Sequence, residues 1–272
     1  MKGDDMILSI QSNVMHGYVG NRACLPFYQA FGIESEHLDT VRLAAHPGHG
    51  TSARDILDGA VMTALFDDYL ALPDRQAPEA IHIGYFGALD QIAPTAQLVK
   101  TLKARAPSTV ILLDPVFGDH GKAYVGEEII TCICELLLPL ADIVTPNQFE
   151  LALLSDRTII DETDAQQALE ALHQKTNATI IATGLYREGK IFDALYDGSV
   201  HHTISHPPKE LGVSGSGDVF ASLFLSSLIT GASDYEALQQ ASSLTHTMIQ
   251  KSKSPLTLDI ASGLEIVSGM TG

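Results

Sequence analysis

The stretch LGVSGSGD at 211–218 carries the strongest signal in this chain for its fold and for its chemistry. Small residues lead into Asp218, and the apolar run 219–225 follows at once. This pattern is typical of a tight loop that opens onto a helix, because glycine allows positive φ and close backbone approach. The first amides of a helix have no partner within it, and the helix dipole favours negative charge there. We therefore predict an anion-binding loop at Gly215, Ser216 and Gly217.

An acidic side chain beside an anion site is unexpected unless it removes a proton. A hydroxyl that attacks a phosphoryl group needs both a base and a set of donors for the transferring charge. The pattern therefore indicates phosphoryl transfer, with Asp218 as the general base. The alternative is an ordinary Gly/Ser loop in which Asp218 caps the helix.

Two other acids follow predicted strands. Asp114 ends the apolar run 110–113, and Glu150 follows the run 141–144 in the first turn of a helix. In open α/β sheets ligands bind beyond the carboxyl ends of the strands, so both acids would share one rim with Asp218. Carboxylates gather near phosphates only with a divalent cation between them, and Mg²⁺ suits such oxygens. The three carboxylates thus predict a divalent cation between them.

The segment TPNQFE at 145–150 has a second explanation. Pro146 turns the chain, Asn147 stands at a helix cap, and Glu150 follows three residues later. This spacing is typical of a capping box, in which the two side chains satisfy each other's backbone amides. Capping and a functional role are compatible.

Alternating strand and helix signals run along the chain without a low-complexity linker or an internal repeat. They predict one domain over 1–272 with a mostly parallel, doubly wound sheet. Predicted strands are 6–10, 38–43, 80–84, 109–113, 142–144, 179–183, 190–196 and 200–204. Predicted helices are 21–31, 53–70, 92–104, 127–138, 165–175, 218–230 and 235–250. An Asp197-Gly198 turn between the last two strands predicts a hairpin that forms a small antiparallel edge.

Composition and charge exclude several classes of protein. The chain has 272 residues, of which 45% are hydrophobic, enough for the core of one large domain. Its formal net charge of −17 argues against nucleic acid or an anionic membrane surface as a partner. Cys24, Cys132 and Cys134 lack metal-ligand spacing, and their odd number suits a reducing compartment. With no signal peptide or long apolar run, we expect a cytoplasmic protein with a disordered terminus at 1–5.

Five segments carry a resemblance to a known family. They are ILSIQS at 7–12, GYVGNRA at 17–23, DPVFGD at 114–119, PLADIVTPNQFE at 139–150 and GSGD at 215–218. In this order they resemble the pyridoxal kinases, the vitamin B6 branch of the ribokinase-like kinases, across roughly residues 6–250. The resemblance implies a three-layer α/β/α sandwich. It also implies ATP-dependent phosphorylation of the 5′-hydroxymethyl group of pyridoxal, and of pyridoxamine and pyridoxine.

The resemblance extends the site on the phosphate side. Asp114 and Glu150 would lie near the metal and the phosphates, Glu150 through metal-bound water. The ATP-binding residues that it implies are Asp114, Thr145, Asn147, Glu150, Thr183 and Gly184. A plain turn at the end of a strand is the alternative for Thr183-Gly184.

Four residues are implied on the vitamin side: Ser12, Val19, His46 and Tyr85. Ser12, just beyond the first predicted strand, would bond the pyridine nitrogen or the 3-hydroxyl group. Val19 and Tyr85 would form an apolar slot for the ring, although a buried aromatic is otherwise a core residue. A neutral His46 would bond the phenolic oxygen; otherwise it is a solvated loop residue.

Two places depart from the family or leave a role open. Pro47 stands where many relatives carry a threonine, and proline offers neither a hydroxyl nor an N–H group, which bears on the choice of vitamer. The segment 118–125 would be a mobile active-site flap. Within it Lys122 would approach the γ-phosphate or remain an ordinary exposed lysine.

Competing functions remain open at this stage. A hydroxymethylpyrimidine kinase of the same superfamily phosphorylates a similar hydroxymethyl heterocycle. A non-catalytic protein that binds B6 vitamers would not need the base Asp218. By resemblance the protein would form a homodimer and use K⁺ beside Mg²⁺ and ATP.

Overall fold

The computed structural model describes residues 6–51, 53–73, 76–187, 189–207 and 212–271. The terminus 1–5, for which disorder is expected, and Leu211 of the decisive stretch lie outside the described residues.

A mixed sheet forms the centre of the molecule. Its strands are β1 (Met6–His16), β2 (Glu34–Ala45), β3 (Arg54–Ile56), β4 (Ala80–Ile83), β5 (Val110–Leu113), β8 (Ile143–Val144), β9 (Thr179–Arg187), β10 (Lys190–Tyr196) and β11 (His201–His206). Among the described residues these nine strands lie in the order β11-β10-β9-β8-β5-β4-β1-β2-β3. A separate hairpin consists of β6 (Gly118–Asp119) and β7 (Lys122–Ala123).

The strands from β9 to β2 run parallel to one another. At one edge, β10 is antiparallel to β9 and to β11, which confirms the predicted hairpin. Asp197 stabilises its turn, because the carboxylate accepts the amides of Ser199 and Val200, each at 2.8 Å. A second antiparallel pair, β2 with β3, closes the opposite edge and was not predicted.

Helices cover both faces of the sheet. They are α1 (Asn21–Ala30), α2 (Gly59–Ala71), α3 (Ile92–Arg105), α4 (Glu127–Leu136), α5 (Gln148–Ser155), α6 (Glu162–Thr176), α7 (Ser216–Ile229), α8 (Asp234–Lys251) and α9 (Ile260–Thr271). One core joins the sheet to α2 through α6, and the other joins it to α1, α7, α8 and α9. The predicted three-layer α/β/α architecture is therefore confirmed.

Successive residues of the central strands enter opposite cores. Ile81 and Ile83 pack in the core with helices α2 to α6, whereas Ala80 packs in the core with helices α1, α7, α8 and α9. Parallel strands that are covered on both faces are apolar on both faces, which explains their nearly continuous apolar runs. Among the described residues no helix is long and apolar enough to cross a membrane.

Two predicted boundaries differ most from the structure. The predicted helix 53–70 begins only at Gly59, after the strand β3, because Asp58 caps it by accepting the amides of Ala60 and Val61. The predicted strand 6–10 continues to His16. The terminal helix α9 was not predicted; its sequence contains glycines and serines, and its stability comes from packing of Ile260 and Val267.

Candidate active site

The first turn of α7 lies at the carboxyl edge of the parallel sheet. Its cap residue is Gly215, which has φ +88°, and no side chain caps the helix. A Cβ atom on Gly215 would lie 1.9 Å from the carbonyl oxygen of Tyr18, so only glycine fits there. The Ser216 amide donates to the Val213 carbonyl at 3.2 Å. No hydrogen bond within the described part of the chain takes up the amide of Gly217, which can therefore donate to an anion.

Asp218 occupies the same first turn. Burial raises the pKa of its carboxyl from 3.8 to about 6, although the amides of Gly20 and of Asp218 itself donate to the carboxylate and oppose this rise. At neutral pH the group is mainly ionised and yet close to its pKa. These are the properties of a general base.

Gly20 connects Asp218 to the first strand. Gly20 has φ +55°, and a Cβ atom on it would lie 2.0 Å from the Ser12 carbonyl oxygen and 2.8 Å from Ser12 Oγ. The loop 17–20 thus passes between Ser12 and the start of α7. Val19 belongs to this loop, and its Cγ1 atom is 3.6 Å from the Cβ position of Gly215. The structure thereby brings Ser12 and Val19 next to the predicted base and its loop.

Asp114 follows β5 and is 6% exposed. Its pKa is raised well above 3.8, first by burial and then by the negative charges of Glu150 and Asp218. A Cβ atom on Gly217 would lie 3.9 Å from Asp114 Oδ2, so this carboxylate lies beside the start of α7. Three predicted acids therefore interact electrostatically at one rim, as expected from the strand ends.

The start of α5 is a complete capping box. Asn147 Oδ1 accepts the Glu150 amide at 3.0 Å, and Glu150 Oε2 accepts the Asn147 amide at 2.9 Å. Glu150 Oε1 also accepts the amides of Phe117 at 2.8 Å and Gly118 at 3.4 Å. Burial raises the pKa of Glu150 to about 7 against the lowering effect of these donors. Most of its acceptor capacity is thus used by backbone groups.

The predicted flap is the hairpin of β6 and β7, and its base is tied to α5. Asn147 Nδ2 donates to the Gly118 carbonyl at 2.7 Å. Its turn is formed by His120 and Gly121, both with positive φ, as in two-residue hairpins. Lys122 lies exposed on β7. Mobility of 118–125 and the role of Lys122 remain predictions.

Thr145 and the Thr183–Gly184 segment lie beside α5. The Thr145 hydroxyl is buried and has no hydrogen-bond partner among the described residues. The Thr183 amide donates to the Pro146 carbonyl at 3.0 Å. Gly184 has φ +64°, and open space surrounds the position of its missing side chain. An unpartnered buried hydroxyl requires a ligand or water, which fits the predicted role of Thr145.

A pocket of about 880 Å³ opens between these elements. The predicted residues Asn147, Thr183, Gly184, Ser216 and Gly217 line it, together with the flap tip at 119–121. This volume lies within the range of ~300–1,000 Å³ that ligand and cofactor sites occupy. The pocket thus joins the phosphate-side residues of α5, β9 and α7.

The sequence predicts Ser12 just beyond the first strand, but in the structure it lies inside β1. It occupies the register irregularity between Gln11 and Asn13, where β1 departs from regular pairing with β2. The predicted position of Ser12 was wrong because the polar residues that follow Ile10 suggest that the strand ends there. The irregularity still directs Ser12 toward Gly20.

His46 and Tyr85 lie in the loops that follow β2 and β4. His46 Nδ1 accepts the Gly48 amide at 3.2 Å, and burial followed by His49 lowers the imidazole pKa. The ring is therefore neutral with its proton on Nε2, a donor for an acceptor such as a phenolate. Burial raises the pKa of the half-buried Tyr85. Pro47 is the first residue of the short turn that His46 caps.

The donor set fits a hard cation that is bound mainly by phosphates and water. Within the described residues no group of three or more His, Cys, Asp or Glu could hold a metal ion alone. The available oxygens are the Asp114 carboxylate, the unpartnered Thr145 hydroxyl and the remaining acceptor capacity of Glu150. Mg²⁺ keeps several waters and prefers such oxygens.

Two residues of the site were not singled out from the sequence. Gly20 is part of the GYVGNRA motif at 17–23. Its contact with Ser12 and the hydrogen bond from its amide to the Asp218 carboxylate depend on the tertiary fold. Asp193 lines the pocket and accepts the Gly184 amide. An acid inside the apolar strand segment KIFDALY was the available signal for it.

Comparisons with known proteins identify the family and the fold of this chain. A sequence model of the phosphomethylpyrimidine kinase family matches residues 63–260. Human pyridoxal kinase is 34% identical over 187 residues, which are 67% of this chain and 60% of the human protein. The matched part of the chain thus spans about 60% of that relative's length.

Solved structures extend the likeness to almost the whole chain. Pyridoxal kinase from Entamoeba histolytica has a TM-score of 0.91 at 26% identity, covering 97% of this chain and 96% of that one. Pyridoxal kinase from Leishmania donovani in complex with ADP and pyridoxamine has a TM-score of 0.88 at 27% identity, with the same coverage. The ribokinase-like fold is thereby confirmed. Together with the family match over 63–260, these similarities show that the chain belongs to the phosphomethylpyrimidine kinase family.

Proposed function

We propose that this protein is an ATP-dependent kinase that phosphorylates the 5′-hydroxymethyl group of pyridoxal, and of pyridoxamine and pyridoxine. The observation that carries the proposal is the position of Asp218. It lies between the pocket-lining residues Ser216 and Gly217 and the Gly20 contact to Ser12, and its pKa is raised to about 6. A base between an anion pocket and a second substrate site suits transfer from one to the other.

In this proposal the proton of the substrate hydroxyl moves to the Asp218 carboxylate as the hydroxyl oxygen attacks the γ-phosphorus. The bond between that phosphorus and the bridging oxygen of ADP breaks, and ADP leaves. The loose transition state makes position and charge stabilisation more important than base strength. The Gly217 amide at the start of α7 would stabilise the developing charge, with Gly215 setting its direction.

Asp114, Glu150 and Thr145 would hold a divalent cation with ATP, and K⁺ could share the oxygens of this region. The bound cation would neutralise phosphate charge. Support comes from the position of Asp114, whose pKa is raised first by burial and then by the charges of Glu150 and Asp218, which a bound cation would offset. The unpartnered Thr145 hydroxyl adds a neutral oxygen ligand.

On the vitamin side, Ser12 and Val19 would contact the ring close to Asp218. His46 would donate from Nε2 to the phenolic oxygen, and Tyr85 would cover one face. The Leishmania relative, which was solved with ADP and pyridoxamine, supports a nucleotide and a vitamer as the two substrates. A homodimeric state and a cytoplasmic location stay predictions.

A second candidate is a hydroxymethylpyrimidine kinase, favoured by the description of the matching family. The test measures Mg·ATP-dependent phosphorylation of pyridoxal, pyridoxamine, pyridoxine and hydroxymethylpyrimidine, with products separated by chromatography. We expect the B6 vitamers to be phosphorylated with the higher kcat/KM. Preference for hydroxymethylpyrimidine would replace the proposal by the second candidate. Tight vitamer binding without ATP turnover would identify a binding protein.

A further inference from the structure

The wall of the pocket formed by β10 carries a buried acid that the proposed transfer does not use. Asp193 is 8% exposed and lines the 880 Å³ pocket. A buried carboxylate is costly unless donors satisfy it. Its partners therefore indicate why it is there.

The first partner is the amide of Gly184, which Asp193 Oδ1 accepts at 2.9 Å. Phe192 pairs with Leu185 and Ala194 pairs with Ala182, so two residues of β9, Thr183 and Gly184, oppose Asp193 alone. This arrangement is a β-bulge, which removes a ladder partner and re-aims the strand. Asp193 replaces the missing acceptor and holds the bulge in one conformation.

The second partner is Ser242 on α8. Its hydroxyl donates to Asp193 Oδ2 in a short hydrogen bond, and His206 Nε2 on β11 lies 2.6 Å from Ser242 Oγ. Because the serine proton is directed at the carboxylate, its oxygen accepts from His206 Nε2–H. These hydrogen bonds thus form a continuous chain from β11 through α8 and β10 to β9.

The order of these groups excludes a hydrolytic triad. In such a triad the histidine lies between serine and acid and removes the serine proton. Here the serine lies between the histidine and the acid, and it keeps its proton. Asp193, Ser242 and His206 are therefore suited to hold a backbone position, not to attack a substrate.

We propose that Asp193 is a positioning residue for the nucleotide, acting through the bulge at Thr183 and Gly184. This inference rests on the proposed function, which assigns the pocket to ATP. Gly184 contributes backbone to the pocket at φ +64°, and because glycine is free to adopt many backbone conformations, the hydrogen bond to Asp193 is what selects this one. Loss of the Asp193 acceptor releases the bulge, and nucleotide affinity falls while the vitamin side is unchanged.

The test measures the dissociation constant of Mg·ADP by calorimetry, KM for ATP and for pyridoxal, and thermal stability. For Asp193→Ala we expect the ADP dissociation constant and the KM for ATP to rise by about tenfold or more, with kcat and the KM for pyridoxal within about twofold. Asp193→Asn keeps an oxygen that accepts the Gly184 amide, and it places an NH₂ group that can donate to Ser242 Oγ. It should restore ADP binding to within about threefold of wild type.

A matched control lies at the end of the same strand. Asp197, directly after β10, accepts the backbone amides of Ser199 and Val200, as Asp193 accepts that of Gly184, but it does not line the pocket. Asp197→Ala should lower thermal stability without changing ADP binding. Should Asp193→Ala fail to fold, Gly184→Ala changes the same bulge without removing the carboxylate. It should weaken ADP binding by about fivefold.

Unchanged ADP binding in both Asp193→Ala and Gly184→Ala would overturn the inference while leaving the proposed function intact. If only Gly184→Ala folds, unchanged ADP binding in that variant alone would overturn the inference. Equal weakening of ADP and pyridoxal binding would also contradict it, because a bulge on the nucleotide side should not alter the vitamin side. A wild-type protein that binds no ADP would instead overturn the proposed function, and this inference with it.

Discussion

The helices α5 and α7 begin in similar ways but use their first-turn acids differently. Each follows a strand end at the same rim, and each carries an acid, Glu150 or Asp218, whose pKa is raised. In α5 the Asn147 side chain caps the helix, and three backbone amides donate to the Glu150 carboxylate. In α7 the cap is a glycine, and among the residues that the structure describes two amides, those of Gly20 and Asp218, donate to the Asp218 carboxylate. An acid whose oxygens are occupied stabilises structure, whereas one left with free acceptor capacity can take a proton.

The largest expected effect separates the two acids directly. Asp218→Asn should lower kcat by about 100-fold or more, because the amide keeps the shape of the side chain and removes its basicity. Glu150→Gln should lower kcat by only about tenfold, through a weaker contact with 117–118 and the loss of one negative charge near the proposed cation. Steady-state kinetics with Mg·ATP and pyridoxal measures both. Equal losses would remove the distinction between the helices.

A methyl group at Gly215 should break the α7 arrangement without touching Asp218. In Gly215→Ala the new Cβ would meet the Tyr18 carbonyl, and φ +88° would be strained. We expect kcat/KM to fall by about 30-fold and the free energy of unfolding to fall by about 1–3 kcal/mol.

Gly231 at the other end of α7 provides the control. It has φ +101° but open space around its Cβ position, so Gly231→Ala introduces backbone strain without the clash. This variant should lose stability and keep its activity. Equal activity losses in the two variants would show that strain anywhere in α7 explains the result.

Removing the cap of α5 should have a smaller effect. Asn147→Ala loses the bond to the Glu150 amide and the bond to the Gly118 carbonyl. We expect a loss of about 1 kcal/mol in unfolding free energy and of about tenfold in kcat/KM. Ser233 caps α8 in an equivalent box. Ser233→Ala should therefore match the stability loss without the loss of activity; a matching activity loss would contradict the flap contact.

The last expected effect is on stability alone and depends on pH. The Asp218 pKa is about 6 in the folded protein and 3.8 ordinarily, so the folded state binds its proton more tightly. The stability from this group is present below pH 3.8 and is lost as pH rises through 6. Asp218→Asn avoids that loss and should gain roughly 3 kcal/mol relative to wild type between pH 4 and pH 8. Urea unfolding in EDTA measures the difference, and a gain independent of pH would contradict this account.

Local motifs made the centre of the site predictable. The glycine loop before α7 and the capping box of α5 are read from neighbouring residues, and parallel strands bring their ends to one rim. Contacts between distant segments were not predictable in this way. The pairing of β3 with β2, the contact of Gly20 with Ser12 and the bulge opposite Asp193 all depend on tertiary packing.

The most direct test of the central claim is the pH dependence of single-turnover phosphoryl transfer in wild type, Glu150→Gln and Asp218→Asn. We expect the wild-type rate to fall about tenfold per pH unit below the Asp218 pKa of about 6. The same fall should persist in Glu150→Gln and be absent from the residual activity of Asp218→Asn. A fall that disappears in Glu150→Gln and persists in Asp218→Asn would assign the base to α5 and contradict the account.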